Sequence, residues 1–282
     1  MMPYLINIKG TLVSLQKPAV MGILNVTPNS FYANSRKQTE KEIYERMETI
    51  LSEGATFVDI GGYSSRPDAE ETSEAEERSR LALALNIALR HFPEARLSVD
   101  TFRSAIAKEA VEVYGASMVN DISAGELDKD MFRVVAELKV PYAIMHMRGT
   151  PQTMQKHCDY ADITEDVLKY FAAKMETLRL MGVSDIVVDP GFGFSKTLEQ
   201  NYELLSHLHE FRLLDAPLLV GVSRKSMIYK LTGGTPSDSL TGTIALHMYA
   251  LQKGANILRV HDVREAMETV MMNEALTPTI QA

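Results

Sequence analysis

Cysteine is almost missing from this chain. Cys158 is the single one, so no intrachain disulfide can form, which fits a reducing cytoplasm. Basic residues are in deficit: 29 Lys and Arg stand against 37 Asp and Glu, a net charge of −8. That balance argues against a general nucleic-acid binder, which needs a basic face for the phosphate backbone. Any anion must then be held by a few positioned cations. No stretch approaches the roughly 20 apolar residues of a membrane helix. The opening MMPYLINIKGTLVSL lacks the long apolar run after basic residues that marks a secretory signal. Neither HExxH nor CxxC occurs, so a dedicated metal cage made only of protein is not expected. There is no low-complexity tract and no Pro/Gly/Ser-rich linker, and residues 1–282 read as one domain.

What is present is a regular alternation. Short apolar runs occupy 19–26, 56–62, 96–100, 117–123, 142–146, 185–191, 217–223 and 257–261. Helix-like segments lie near 39–53, 73–90, 103–114, 128–138, 162–181, 199–209, 238–253 and 263–274. Continuous apolar strands separated by helices indicate a parallel sheet. Eight such pairs predict a closed (β/α)8 barrel, with an open doubly wound sheet as the fallback.

Nearly every run ends on a polar residue: Asn25, Asp59, Asp100, Asn120 with Asp121, His146, Asp189, Ser223 and His261. Taken singly, each simply marks the passage from strand to loop. In a barrel they would converge on the C-terminal mouth, where barrel active sites lie.

Asp100 precedes a helical segment, so helix capping competes with a ligand role. Asp189 precedes Pro-Gly-Phe-Gly, where capping explains little, and a carboxylate there can accept paired N–H bonds from a flat heterocycle. Asn120 can read a mixed donor–acceptor edge. Segments 61–69 and 189–197 are glycine-rich but fit neither the P-loop nor the dinucleotide fingerprint. Arg66 projects from the first as either a ligand contact or a solvated side chain, and Phe194 in the second either stacks on a flat ligand or packs on the rim. Arg224 and Lys225 follow the seventh run, where barrels commonly bind anions. Arg259 and His261, two apart on the eighth, share a face. A buried cation requires a negative partner, and Arg259, His261 and Asn25 are expected to surround a phosphate-type anion. The Asn25 carbonyl oxygen would then be available to Mg2+. His157 and Cys158 lie away from any strand end and are expected at the surface.

GILNVTPNSF, GGYSSRP, SVDTFR, NDISAG, MHMRGTPQTMQ, DPGFGFSKT, GVSRKS and ILRVHDV, in that order, resemble the motifs of the dihydropteroate synthase family from about Val20 into the last helix. The resemblance implies a cytoplasmic, homodimeric (β/α)8 barrel. It implies a Mg2+-dependent transferase that joins 6-hydroxymethyl-7,8-dihydropterin diphosphate to 4-aminobenzoate, making dihydropteroate for folate synthesis and releasing pyrophosphate. Its partners would be small molecules, with no nucleic acid and no membrane. Carried over by motif, Asp100, Asn120 and Asp189 would bind the pterin edge and Lys225 the ring. Asn25, Arg259 and His261 would hold the diphosphate, with Asn25 on the metal. Ser65 and Arg66 would sit in a loop over the site. Ser223 and Phe194 would line the aminobenzoate region, where sulfonamides also bind in this family. Arg66, Lys225, Arg259 and His261 are the expected catalytic residues.

The chain departs from the family pattern in its loops. Asn29 and Ala33 stand where the first loop typically has aspartates, and Tyr63, Ser65 and Asp68 replace glutamate, threonine and glycine in the second. Three other readings stay open: a pterin-binding paralogue without catalysis, a folate-dependent methyl-transfer domain, and a Schiff-base aldolase using Lys225.

Overall fold

Residues 4–27, 36–65 and 71–276 are described by a computed structural model of the chain. A two-stranded hairpin, β1 (Leu5–Ile8) and β2 (Thr11–Ser14), comes first. The eight apolar runs then become β3 (Ala19–Asn25), β4 (Phe57–Gly61), β5 (Leu97–Asp100), β6 (Met118–Asp121), β7 (Tyr142–Met145), β8 (Ile186–Asp189), β9 (Leu219–Val220) and β10 (Ile257–Val260). Helices α1 (Arg36–Ser52), α2 (Glu74–His91), α3 (Ser104–Glu112), α4 (Met131–Leu138), α5 (Ile163–Leu180) and α6 (Leu198–Ser206) alternate with the strands through β8. Helices α7 (Ser226–Thr232) and α8 (Leu240–Gln252) both precede β10, and α9 (Val263–Leu276) follows it. No described helix is long and apolar enough to cross a membrane.

The parallel strands run β8-β7-β6-β5-β4-β3-β10-β9. The two ends of that order meet at a single bridge between Val188 and Leu218, where the Val188 N–H donates to the Pro217 carbonyl at 2.9 Å. The sheet is therefore a nearly closed (β/α)8 barrel, and the open alternative is set aside. The joint is thin because β9 keeps only two residues of its apolar run. Pro217 has no N–H to give a ladder.

Side chains alternate across this wall. Met21, Phe57, Met118, Ala143, Val187, Leu219 and Ile257 point inward and pack with Ile6, Ile8 and Leu15, which plug the N-terminal end. Their neighbours Val20, Val58, Val119, Ile144, Val188, Val220 and Leu258 face the helices. Two residues further along, the inward positions become Asp59, Asn120, Asp189 and Arg259, so a polar layer sits directly on an apolar floor. Two elements are absent from the pattern read in the sequence. The hairpin strands have only four residues each and turn at Lys9 and Gly10, both with positive φ. Helix α7, at seven residues, is too short to show a period.

Candidate active site

The half-buried cation of the eighth run, Arg259, has two carboxylates opposite it. Arg259 Nε donates to Asp59 Oδ2 and Nη2 to Asp100 Oδ2, both at 2.6 Å. The Asn120 amide donates to the same Asp59 oxygen at 3.0 Å. Asp59 is fully buried. The two carboxylates outweigh the loss of water and raise the Arg259 pKa, so it is a permanent cation. Burial pushes the Asp100 carboxyl up to about 7, against the pull of Arg259 and with the push of Asp59, Asp121 and Asp189. Asp100 does not cap α3: the Ser104 N–H there donates to Asp128, a loop residue after β6. The negative partner of Arg259 in the protein is thus a pair of side chains, and Asp59 was given no role in the sequence. Its place two residues after an inward Phe57 was the available signal.

Asp189 and Lys225 complete the inner layer. A Cβ built on Gly221 would lie 3.8 Å from Asp189 Oδ2, 3.8 Å from Lys225 Nζ and 3.9 Å from Arg259 Cβ. The bare glycine leaves a floor onto which these three groups converge. Asp189 accepts from the Gly191 N–H at 2.8 Å, and burial raises its pKa against Lys225, that N–H, Arg259 and Lys196. Burial lowers Lys225 to about 8 although Asp189 draws it back up. Lys225 Nζ donates to the Phe192 carbonyl and lies 4.7 Å from the Phe194 ring centre. A flat polar ring would find a carboxylate edge, an ammonium and an aromatic face here.

Ser223 and His261 pair at the rim. The Ser223 hydroxyl accepts the His261 backbone N–H and faces ring Nδ1, each at 3.1 Å. Which of the Ser223 hydroxyl and ring Nδ1 donates is set by the imidazole tautomer, since the hydroxyl oxygen has a second lone pair free to accept. Surrounding protein, then the cations Arg259, Arg46 and Arg224, lower the His261 pKa to about 4 against Asp262. Arg224 itself is held in a two-pronged pair by Asp262, at 2.8 Å on each prong. Asn25 lies on the other side of Arg259: its Oδ1 and Asp100 Oδ2 are 3.3 and 3.4 Å from where a Gly61 Cβ would be. Ser65 ends the described part of the β4 loop. Arg66, Asn29, Ala33 and Asp68 lie outside the described residues. Tyr63 stands edge-on to Phe102 with centroids 5.1 Å apart, and its hydroxyl accepts from Gln152 at 3.1 Å.

Two strand-end residues expected at the mouth face the other way. Asp121 follows the inward Asn120 and so points outward. It accepts the Tyr142 hydroxyl at 2.7 Å and the N–H groups of Ser123 and Gly125, tying the β6 turn. His146 follows Met145 and lies among Tyr160, Tyr170 and Phe171. Their placement is strand alternation at work. His146 meets Lys196, a fully enclosed ammonium that the sequence had not singled out.

Residues 21–261 match the protein family described as pterin binding enzyme. The dihydropteroate synthase of Escherichia coli K12 is 39% identical over 269 residues, spanning 95% of this chain and 94% of that protein. The structure of Yersinia pestis dihydropteroate synthase with a sulfonamide drug superposes with a TM-score of 0.89 at 37% identity, covering 97% of this chain and 98% of that one. The Xanthomonas albilineans dihydropteroate synthase solved with 4-aminobenzoic acid gives 0.89 at 33% identity, covering 98% and 100%.

Proposed function

The chain belongs to the dihydropteroate synthase family of pterin-binding enzymes, and from that premise we propose how its mouth divides the work. The activity is a transferase reaction. The methylene carbon of 6-hydroxymethyl-7,8-dihydropterin diphosphate passes from its diphosphate oxygen to the amine nitrogen of 4-aminobenzoate. A proton leaves the amine, and 7,8-dihydropteroate and pyrophosphate are released.

One observation carries the assignment of sites: Asp189, Lys225 and Arg259 converge above Gly221. The pterin lies on that floor. Asp189 accepts from the amino-pyrimidine edge, Lys225 donates to the ring, and Asn120, whose amide already donates to Asp59, offers its carbonyl oxygen. Asp100 closes the same edge. The diphosphate lies toward Arg259, His261 and Asn25. Arg259 is a cation at every working pH, and His261 sets its imidazole beside it. Both stabilise charge that grows on the leaving group, which is where preorganised donors lower a barrier most. The C–O bond breaks first, leaving a methylene cation stabilised by the electron-rich pterin. The neutral aniline nitrogen then attacks, so no base-activated nucleophile is required. Phe194 and Ser223 line the aminobenzoate side, with Ser65 in the loop after β4; Arg66, outside the described residues, is assigned to the same substrate by its motif alone.

Mg2+ suits the residues present. Asn25 Oδ1 and Asp100 Oδ2 approach the same point above Gly61, and Mg2+ takes one or two protein oxygens beside phosphate oxygens and water. No group of three or more His, Cys, Asp or Glu among the described residues forms a cage. Asn25 and Asp100 would hold the ion, which would supply positive charge to offset that of the diphosphate. A cytoplasmic homodimer completes the reading; exposed Leu231, Tyr249, Met271 and Met272 on α7, α8 and α9 are apolar surface suited to pairing.

The test is direct. Folded protein mixed with the pterin diphosphate, 4-aminobenzoate and Mg2+ yields dihydropteroate by chromatography. Binding of the diphosphate by calorimetry with no product would instead mark a non-catalytic relative. Chelation with EDTA abolishes turnover, and added Mg2+ restores it; turnover unaffected by EDTA would remove Asn25 from any metal role.

A further inference from the structure

The segment after β8 has two faces. Its inner face touches Lys225 through the Phe192 carbonyl and the Phe194 ring. Its outer face is fixed by residues that never reach the mouth. Lys196 is 3% exposed, and its Nζ reaches His146 Nδ1 at 3.0 Å, the Gly191 carbonyl at 3.0 Å and the Phe194 carbonyl at 2.9 Å. An ammonium has three N–H groups, and here each has one neutral acceptor. No carboxylate touches it, which makes Lys196 an expensive way to fill space.

The backbone is shaped for this contact. Gly191, Gly193 and Ser195 all have positive φ, at alternate positions. A Cβ on Gly191 would lie 2.1 Å from the His146 carbonyl oxygen. The Gly193 N–H donates to Asn201 Oδ1 at 2.6 Å, and Ser195 Oγ exchanges two 2.8 Å bonds with the Arg148 backbone. Burial lowers Lys196 to about 7, Asp189 and Cys158 draw it up, and Lys225 and Arg148 push it down. His146, buried and flanked by Lys196 and Arg148, is held below its ordinary pKa and stays a neutral acceptor.

We propose that Lys196 is a positioning residue for the aminobenzoate half of the reaction: seated on His146, it ties the Gly191 and Phe194 carbonyls together and so fixes Phe194 against Lys225. The inference rests on the reading above that Phe194 lines the aminobenzoate side. On the pterin side, Asp100 and Asn120 stand on strand ends apart from this tie, and Asp189 meets it only through the Gly191 N–H.

Steady-state kinetics on Lys196→Met, His146→Phe and Phe194→Ala, varying each substrate in turn, test it. Lys196→Met raises KM for 4-aminobenzoate roughly tenfold while KM for the pterin diphosphate moves less than about threefold. His146→Phe keeps the ring contacts with Tyr160, Tyr170 and Phe171, removes one acceptor and shifts the same KM in the same direction; it decides the matter should Lys196→Met not fold. Equal loss for both substrates, or no change for either, overturns the inference. If Phe194→Ala raises the aminobenzoate KM and the Lys196 and His146 variants do not, the role of Lys196 alone is wrong. If Phe194→Ala leaves that KM unchanged, the placing of Phe194 is wrong and the inference falls with it.

Discussion

Two cations, Arg259 half-buried and Lys196 buried, flank the same strand ends and are held in opposite ways. Inside the barrel, Arg259 is matched by the carboxylates of Asp59 and Asp100. Behind the wall, Lys196 is matched only by two carbonyls and a neutral imidazole. Paired charge raises one pKa and burial without charge lowers the other. The inner site thus keeps a permanent cation where an anion must be met. The outer one uses a titratable ammonium as a hydrogen-bond hub. Adjacent residues on one strand belong to these separate regions: Asn120 and Asp121, Met145 and His146.

The comparison breaks most visibly at Arg259. Arg259→Ala leaves Asp59 as an uncompensated buried carboxylate, at about 3–5 kcal/mol of stability in urea denaturation. Removing this hydrogen-bonded charge also lowers kcat/KM for the pterin diphosphate roughly 100-fold. Adding Asp59→Asn returns part of the stability but not the rate. If both losses were small, the inner charge cluster would not be what organises the mouth.

Behind the wall, function and stability separate. Tyr142→Phe removes the hydroxyl bonded to Asp121 and lowers stability by about 1.5–3 kcal/mol, the range for a hydrogen bond to a charged group. Its KM values stay within about twofold of the unmodified protein, since the outer face does not meet substrate. A selective rise in KM for the pterin diphosphate would show that strand alternation does not divide the two regions.

The last effect is one of slope, small at any single pH step. The folded pKa of Lys196, about 7, lies below the roughly 10.4 of an unfolded lysine. Its contribution to stability is full above the unfolded value and is lost as pH falls toward 7. Lys196→Met therefore flattens the decline of stability between pH 10 and pH 7, by at most about 1.4 kcal/mol per pH unit. Lys225, lowered to about 8, leaves a residual slope in that variant. Arg259 does not titrate in this range and adds no slope of its own. An identical slope with and without Lys196 would mean that its ammonium is not buried as described.

Much of the inner site was legible because a barrel strand has period two. Once Phe57 faces inward, Asp59 must also, and Asn120, Asp189 and Arg259 follow from their own strands. Treating every polar strand end alike admitted Asp121 and His146, whose parity places them outside. Lys196 was invisible for a different reason. Its acceptors are backbone carbonyls turned by left-handed residues, together with an imidazole 50 positions earlier, and no local pattern encodes such a pairing. The two-residue β9 was likewise hidden, because its apolar run was long enough for a full strand.

By itself the sequence determined eight strand–helix repeats, the polar residue at each strand end and the family motifs, since all are written locally in hydrophobic period and residue order. Only the tertiary structure decided that Arg259 meets Asp59 and Asp100, that Lys225 stands beside Asp189, and that Lys196 finds His146. Those partners lie on different strands and loops, and closing the ring is what brings their side chains together.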